Sequence, residues 1–386
     1  MVLPDVPAPL RVLVAGAGIG GLAVAVASRR TGHDVHVVEQ AERLAPVGAG
    51  LAISANALTA LDALGLREEA VARGALGRRV LLRTAEGRLL AHFTLDPGEE
   101  SLGIHRADLQ DCLLEAAGRD SVRLGVRCTG FTQDAGGVTI SLADGTEERG
   151  DVLVGADGIY STVRTALFGT ERPRYAGYAG WRATASLSPE LIEPGVFWES
   201  WGRGVRIGFV DIGNGRAYWF VSEAVPEGAP EPADPKTSFL ERFRGWHEPI
   251  PRVIEETPGE VLFRTFVYDR KPTRRWGDGR VTLLGDAAHA MTPNLGQGAS
   301  QALEDAAVLG RTLETHDDPV AALRAYERRR IKRANAIVRL SRQVGLLAQA
   351  SNPLVCAFRG VVVRAVPDRV QKAQQVRLIR WSMDDA

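Results

Sequence analysis

Six residues near the start of the chain, Gly16-Ala17-Gly18-Ile19-Gly20-Gly21, have the spacing of a phosphate-binding turn. Gly16 permits a tight bend, Gly18 lets backbone approach a diphosphate, and Gly21 lets the next helix lie close to the preceding strand. The free amides and the positive dipole end of that helix would bind the phosphates. Glu39, 23 positions after Gly16, would accept hydrogen bonds from the ribose hydroxyls of adenosine and repel a 2′-phosphate. The pattern therefore predicts a dinucleotide site that disfavours NADP.

The elements around this turn fit the same interpretation. Residues 10–15 form an apolar β-type run, residues 20–30 are rich in alanine and suit a helix, and residues 34–38 form a second β-type run. A strand, a helix and a strand in this order predict a βαβ unit, the context that a dinucleotide fingerprint requires.

The middle of the chain has a different character. Residues 174–268 are dense in aromatic side chains and contain period-two stretches, which predict an antiparallel sheet. A parallel-strand pattern returns at 280–286 and a helical one at 300–313. We therefore predict an α/β fold in which a Rossmann-like domain of the glutathione-reductase type is discontinuous, with an inserted antiparallel β-sheet domain and C-terminal helices. The predicted boundaries are 1–72, 101–173 and 270–318 for the nucleotide-binding domain, 73–100 and 174–269 for the β-rich domain, and 319–386 for the helical segment.

Composition narrows the classes of partner. Lysine plus arginine and aspartate plus glutamate number 47 each, which provides no overall field for nucleic acid or an anionic membrane. The three cysteines are isolated, which argues against a disulfide framework or a metal site and favours a reducing cytoplasm. No run approaches the roughly 20 apolar residues of a membrane span. Residues 354–381 are basic and amphipathic; we expect them to pack on their own protein, with peripheral membrane contact left open.

Two further segments give the chain a family resemblance. Asp151-Val152-Leu153-Val154-Gly155-Ala156-Asp157-Gly158, followed by Ser161 and Arg164, resembles the Asp-Gly motif of single-component flavoprotein monooxygenases. Gly285-Asp286-Ala287-Ala288-His289, followed by Pro293 and Gly296-Gln297-Gly298, resembles their Gly-Asp motif. The family is typified by para-hydroxybenzoate hydroxylase, and this sequence is most similar to its salicylate-hydroxylase-like, urate-hydroxylase-like and zeaxanthin-epoxidase-like branches.

The resemblance implies FAD as the cofactor and assigns residues to it. Asp286 would accept from a ribityl hydroxyl, Arg106 would reach the FAD from the side, and the loop Gly48-Ala49-Gly50-Leu51 would lie along the flavin. Asp157 is associated with both FAD and the reduced nicotinamide, with helix capping as its alternative role. Pro293 would lie beside the reactive C4a edge, with an ordinary turn proline as the alternative. The full predicted cofactor set is Gly16, Gly18, Gly20, Gly21, Glu39, Gln40, Gly50, Leu51, Arg106, Cys128, Asp157, Asp286, Gly296, Gln297, Gly298 and Ala299.

The same resemblance implies an activity. NADH or NADPH would reduce the flavin and leave, and O2 would give a C4a-hydroperoxide that delivers one oxygen atom to the substrate by hydroxylation or epoxidation. The substrate would be a hydrophobic aromatic or polycyclic molecule between the inserted sheet and the flavin. Candidate contacts are Trp181, Trp198, Arg206, Phe209, Tyr218 and Phe220, of which strand alternation allows only some to face inward.

Several alternatives stay open at this stage. Tyr218-Trp219-Phe220 aligns with a substrate-contacting stretch of the urate-hydroxylase branch, but the arginine that holds urate there falls at about Gly204, which argues against urate. His289 is expected to be structural, and no general base is assigned. A flavin dehydrogenase or oxidase, or a non-catalytic flavoprotein that sequesters a small molecule, would use the same fold. The Gly285-Asp286 segment disfavours a flavin-free NAD-dependent dehydrogenase. The chain is expected to act as a monomer or homodimer.

Overall fold

The computed structural model describes residues 9–44 and 49–383. Its strands are β1 (Arg11–Ala15), β2 (Asp34–Val38), β3 (Gly50–Ile53), β4 (Ala75–Gly77), β5 (Arg79–Thr84), β6 (Leu89–Thr94), β7 (Ser101–His105), β8 (Val122–Arg123), β9 (Cys128–Asp134), β10 (Gly137–Leu142), β11 (Glu147–Gly150), β12 (Val152–Gly155), β13 (Arg174–Ser186), β14 (Val196–Trp201), β15 (Val205–Asp211), β16 (Arg216–Ala224), β17 (Phe263–Asp269), β18 (Gly277–Asp278) and β19 (Val281–Leu283). Its α-helices are α1 (Ile19–Arg30), α2 (Ala55–Ala63), α3 (Arg67–Ala72), α4 (Arg106–Ala117), α5 (Thr162–Phe168), α6 (Pro235–Arg242), α7 (Ile250–Glu256), α8 (Asp286–His289), α9 (Gly298–Thr315), α10 (Pro319–Ala348), α11 (Pro353–Ala365) and α12 (Asp368–Ile379).

The strands that carry the sequence motifs lie side by side in a six-stranded sheet of order β18-β19-β12-β1-β2-β8. β1 pairs in parallel with β2 on one side and with β12 on the other, and β12 pairs in parallel with β19. The apolar residues of β1 are fully buried, as expected for a parallel sheet covered on both faces. Since parallel strands end at the same edge, Gly16, Asp157 and Asp286 are brought to one edge from distant parts of the chain.

A seven-stranded sheet of order β17-β13-β16-β15-β14-β5-β6 forms the second layer. Its pairs are antiparallel except for β14 with β5. Helices α6 and α7 cover one face, where Phe239 and Ile254 join a separate apolar core. The predicted fold class is confirmed. One detail differs, because β4, which the predicted boundaries assigned to the β-rich domain, pairs instead with β7 in a small sheet that also contains β3.

Three helices close the chain. α10 is 30 residues long, starts with an Asp318 cap and runs along α9, while α11 and α12 contact β6. Within residues 9–44 and 49–383, no single helix has the length and apolar composition to cross a membrane. The pair α10 and α11, bent by 119° at the break between them, meets that test only in combination, by length and composition.

Candidate active site

The Gly-rich turn has one open position, Gly18, and three closed positions, where an added Cβ would lie 1.9 to 2.6 Å from another atom. Gly16 has φ +103°, and its amide donates to the carbonyl oxygen of Val38 at 2.8 Å. A Cβ on Gly21 would lie 1.9 Å from the Gly16 carbonyl oxygen, and one on Gly20 would lie 2.6 Å from a leucine side chain. A Cβ on Gly18 would meet no atom of the described residues within 4 Å. The open space beside Gly18 leaves room for a diphosphate at this helix terminus.

Glu39 is held in a defined orientation beside the turn. One carboxylate oxygen accepts from the amide of Ala17 at 2.8 Å, and the other accepts from the amide of Ala41 at 2.9 Å. Each oxygen keeps a second lone pair for a ribose hydroxyl. The neighbouring Gln40 is exposed.

The backbone before β9 passes close to this acid. The amide of Val126 donates to the carbonyl oxygen of Glu39 at 2.9 Å, which places Cys128, two residues later, on the adenosine side of the predicted site. The Cys128 side chain is buried, and burial raises the pKa of its thiol to about 11. The thiol is thus neutral near pH 7, and any cofactor contact here is made by backbone or by an apolar side chain.

Asp286 and Arg106 face each other across the edge of the sheet. Arg106 begins α4 with an exposed side chain, and its amide donates to the carbonyl oxygen of Ala49 at 3.2 Å. Asp286 is exposed at the start of α8, although protein atoms around its carboxyl partly shield it from water. This shielding raises the pKa of its carboxyl, and the charges of His289 and Arg106 act against the shift. An acid and a guanidinium are therefore available to a polar ligand. Gly50 and Leu51 lie at the start of β3, and Gly48 lies outside the described residues.

Asp157 takes the capping role that the sequence left open, and it keeps one carboxylate oxygen free for a ligand. One carboxylate oxygen accepts from the amides of Thr162 and Val163 at 2.7 and 3.2 Å and so caps α5. The other oxygen is buried and has no hydrogen-bond partner among the described residues. Burial raises the pKa of this carboxyl, while hydrogen bonds from the start of α5 oppose the shift. An orphaned buried acceptor beside Gly16 is what a missing donor from a ligand would leave.

The Asp-Gly and Gly-Asp segments are joined by an arginine. Arg164 is buried on α5, and its Nη1 donates to the carbonyl oxygens of Ala287 and Ala288 at 3.1 and 3.4 Å. The relative position of Asp157 and Asp286 is thus fixed by protein contacts.

The segment before α9 shows which of its groups are free for a ligand. Gly296 has φ +62°, and a Cβ on Gly298 would meet nothing within 4 Å. Gln297 is fully buried, and its side chain is bonded to Ser54 and Asn56 near α2. The Gln297 side chain is therefore used inside the protein, and what this segment can offer a cofactor is the backbone around Gly298 and Ala299.

A buried charge cluster holds α9 in place. Arg330 of α10 donates to Glu304, and its Nε donates to Asp305 at 2.7 Å. Arg333 donates to Glu304 at 2.8 Å. Burial by itself would raise the pKa of both carboxyls, but the arginine charges outweigh it, and His289 adds to this at Asp305, so both pKa values are lowered. His289 Nε2 lies 2.6 Å from Asp305, and the ring is fully buried. His289 therefore belongs to this structural cluster.

The two faces of the seven-stranded sheet separate the predicted substrate contacts. Trp181 is buried against Phe239 of α6, with ring centroids 5.3 Å apart, and Phe209 stacks on Trp198 at 5.3 Å. All belong to the core beneath α6 and α7. The prediction that Trp181 and Phe209 line the substrate space is therefore corrected, and Trp198 is excluded with them, because strand alternation turns them to the outer face.

Arg206, Tyr218 and Phe220 lie on the opposite face, towards the six-stranded sheet and β3. A Cβ on Gly50 would lie 2.3 Å from the Cβ of Tyr218, so this face directly adjoins the loop predicted to lie along the flavin. The Arg206 guanidinium lies 5.6 Å from the centre of the Phe220 ring. Gly204 lies in the turn before β15 with φ +63°, and Arg206, two residues later, supplies a buried guanidinium to the face.

Sequence reasoning missed a polar triad that connects this face to Pro293. Asn294 Oδ1 accepts from Arg206 Nη2 at 2.5 Å and from the Tyr178 hydroxyl at 3.2 Å. Its amide nitrogen donates to Thr292 at 2.8 Å. Arg206 Nε is buried without a partner among the described residues. In the sequence, the position of Asn294 directly after Pro293 could have indicated a polar contact at this turn. Nothing in the sequence indicated Tyr178, because its partner is 116 positions away.

These residues fit FAD. The space at Gly18, the orphaned Asp157 oxygen and the acid and arginine at Asp286 and Arg106 offer the donors, acceptors and room that a diphosphate, two sugar chains and a flavin need.

Comparisons with known proteins agree with this geometry. A family model described as FAD binding domain matches residues 9–341. Aurachin C monooxygenase/isomerase of Stigmatella aurantiaca is 42% identical over 367 residues, covering 94% of this chain and 96% of that protein. FAD-dependent urate hydroxylase of Klebsiella pneumoniae is 37% identical over 343 residues, covering 86% and 89%. The structure of Klebsiella pneumoniae HpxO complexed with FAD and uric acid superposes with a TM-score of 0.90 at 31% identity and covers 96% of each chain.

Proposed function

Because the chain belongs to the family of FAD-dependent monooxygenases, we propose that it takes reducing equivalents from NADH or NADPH and uses O2 to hydroxylate an aromatic or polycyclic molecule bound as an oxyanion. The observation that carries this proposal is Arg206, which is buried on the face of the sheet that adjoins β3 and has an Nε–H without a partner among the described residues. When bound, FAD supplies the redox chemistry and the activation of oxygen.

The charges of this face support an oxyanionic substrate. Arg206 Nη1 lies 3.3 Å from Glu199 Oε2, which offsets one positive charge. Arg182 lies on the same face, where burial raises the pKa of Tyr218 and Arg182 opposes that rise. Two arginines and one glutamate leave a net positive charge, which favours a phenolate or enolate over its neutral form. A phenolate is the form of a phenolic substrate that an electrophilic oxygen attacks.

The remaining groups would orient the substrate and exclude water. Phe220 and Tyr218 offer flat apolar surface for a ring, and Asn294 fixes both Arg206 and the turn at Pro293. Pro293 is exposed and has no amide hydrogen, so it can border the reactive edge of the flavin without donating a proton. Although position 204 is a glycine, Arg206 supplies a cation to this face of the sheet. The proposed substrates therefore include anionic ring systems such as the urate named in the comparison above.

The nicotinamide donor would bind transiently. Within residues 9–44 and 49–383, we identify one Gly-rich turn of the dinucleotide type, and its geometry fits FAD. A cytoplasmic location is proposed on the free thiols of Cys112, Cys128 and Cys356, which suit a reducing compartment.

The test is substrate-stimulated NAD(P)H oxidation by the purified flavoprotein, with mass-spectrometric detection of 18O from 18O2 in the product. We expect ring-hydroxylated products from phenolic or enolic compounds. Arg206→Met should lower kcat/KM for these compounds about 10- to 150-fold, the equivalent of a charged hydrogen bond of about 1.5 to 3 kcal/mol. The matched control is Arg203→Met at an exposed arginine of the preceding turn.

Two outcomes would reject the proposal. A product without 18O, together with electron transfer that only reduces O2 to peroxide or reduces an added dye, would indicate a flavin oxidase or dehydrogenase. An equal loss in Arg206→Met for substrates with and without an ionisable oxygen would show that Arg206 does not select an oxyanion.

A further inference from the structure

Helix α11 carries its apolar side chains on the outside of the protein. Leu354, Val355, Phe358, Val361 and Val362 are between 40% and 80% exposed. Their spacing of one, three and four residues puts them on one helix face. A soluble surface helix ordinarily has the reverse arrangement, with the apolar face inward.

The inner face of α11 shows that this orientation is built into the fold. Arg359 is 4% exposed; its guanidinium donates to the carbonyl oxygens of Ala348 at 2.8 Å and Gly202 at 3.0 Å and lies 5.0 Å from the Trp201 ring centre. Arg359 thus anchors one side of α11 on the protein, and the apolar side chains point outward. α11 and α12 do contact the rest of the protein at β6, as expected for this tail, but the apolar face of α11 is left outward.

The exposed apolar surface extends to the neighbouring helices. Leu346 and Leu347 at the end of α10 are 63% and 42% exposed, and Val370 of α12 is 39% exposed. We call the exposed apolar residues 346, 347, 354, 355, 358, 361, 362 and 370 the apolar ridge. An apolar surface of this kind on a folded chain marks an interaction site.

The segment that carries the apolar ridge is strongly basic, although the whole chain has no net charge. Between residues 339 and 381, Asp368 is the one acidic residue, against eight basic residues: Arg339, Arg342, Arg359, Arg364, Arg369, Lys372, Arg377 and Arg380. Arg342, Arg359 and Lys372 are engaged with protein groups. The other five form no ion pair with the described residues. Arg377 and Arg380 also line a cavity of about 560 Å³ between α10 and α12, with Trp381 as one wall.

We propose that the apolar ridge and its arginines form a peripheral docking surface for an anionic lipid bilayer. Apolar side chains on one face of a helix enter the headgroup boundary, and flanking arginines are attracted to anionic headgroups. A second copy of the chain fits less well, because a two-fold contact through this surface would bring the excess positive charge of each copy against the other. This inference does not depend on the substrate.

The experiment is flotation of the FAD-loaded protein with vesicles of phosphatidylglycerol mixed with phosphatidylcholine, and with vesicles of phosphatidylcholine alone. We expect binding to the anionic vesicles that weakens with added salt. Phe358→Asp should abolish flotation. The double variant Arg364→Gln with Arg369→Gln should weaken binding about 25-fold, since each arginine near the surface contributes about 5-fold.

Matched controls separate docking from folding. Leu76→Asp replaces an apolar residue that is 40% exposed on β4, and Arg244→Gln removes an exposed arginine outside the C-terminal helices; both should float like the wild type. FAD absorbance per chain reports folding of every variant. Equal flotation of Phe358→Asp and wild type, or equal binding to both vesicle types, would overturn the proposal. A dimer in light scattering that Phe358→Asp separates, with no vesicle binding, would assign the ridge to a second copy instead.

Discussion

Alanine substitutions at two glycines of the same turn should have different effects. Gly18→Ala should weaken FAD binding without destabilising the FAD-free protein, whereas Gly21→Ala should destabilise it. Gly18→Ala places a methyl group in space that contains no atom of the described residues within 4 Å, and Gly18 has φ −71° and ψ −179°, which alanine adopts without strain. Gly21→Ala places the same group 1.9 Å from the backbone carbonyl oxygen of Gly16. The first substitution should therefore spare the FAD-free protein, and the second should not.

The magnitudes follow from these distances. Gly18→Ala should raise the free energy of unfolding of the FAD-free protein by about 0.4 to 1 kcal/mol, because the unfolded chain loses freedom. It should weaken FAD binding about 10- to 150-fold, since the methyl group would hold the diphosphate away from a charge-assisted amide contact of about 1.5 to 3 kcal/mol. Gly21→Ala should cost about 3 kcal/mol or more, since a backbone atom cannot rotate aside as a side chain can.

Both effects can be measured on protein stripped of flavin. Denaturant titration gives the free energy of unfolding, and quenching of flavin fluorescence on titration with FAD gives the Kd. If Gly18→Ala bound FAD as tightly as the wild type, the open space at Gly18 would not be the diphosphate site. If it destabilised the flavin-free protein as much as Gly21→Ala, the assignment of open and closed positions would be wrong.

Three further predictions follow from other contacts. Asp286→Ala should weaken FAD binding by about 1 to 3 kcal/mol, seen in the same fluorescence titration, because it leaves a cofactor hydroxyl unpaired; an unchanged Kd would contradict the ribityl role. Glu304→Gln should lower the free energy of unfolding by about 3 to 5 kcal/mol, because it leaves Arg330 buried with fewer counter-charges, and retention of wild-type stability in denaturant would refute this. Since the folded-state pKa of Glu304 is lowered, its contribution is complete above the ordinary glutamate pKa of about 4.3 and is lost as pH falls through the folded value, so the variant and wild type should converge in stability at acid pH. Tyr178→Phe removes one of two donors to Asn294 and should lower kcat with little change in FAD affinity; equal losses in both would indicate a general packing defect.

The cofactor half of the site could be predicted because its signals are local. A phosphate-binding turn needs glycines at fixed positions, and a parallel strand needs a continuous apolar run, so Gly16 to Gly21 and Glu39 can be recognised locally, whereas Asp286 was assigned by the family resemblance. The family resemblance added the spacing between distant motifs. Even here the side chain of Gln297 differed, since its burial depends on Ser54 and Asn56, more than 240 positions earlier in the chain.

The substrate half depended on tertiary structure. Period-two alternation predicts that Arg206 and Phe209 point to opposite faces of the sheet, but it does not indicate which of the two faces would meet the flavin. That choice was made by α6 and α7, which cover the face carrying Trp181 and Phe209 and leave Arg206 to meet Asn294. The outward apolar face of α11 is a similar case, because the basic amphipathic pattern is compatible with either orientation.

The sequence by itself indicated a dinucleotide site, because glycine conformation, helix dipoles and strand ends act over a few residues, and its resemblance to the flavoprotein monooxygenases implied FAD and the activity. Only the tertiary structure decided which face of the seven-stranded sheet is covered by α6 and α7 and which face of α11 meets the surroundings. Both depend on what packs against the other side of an element, and that partner comes from a distant part of the chain.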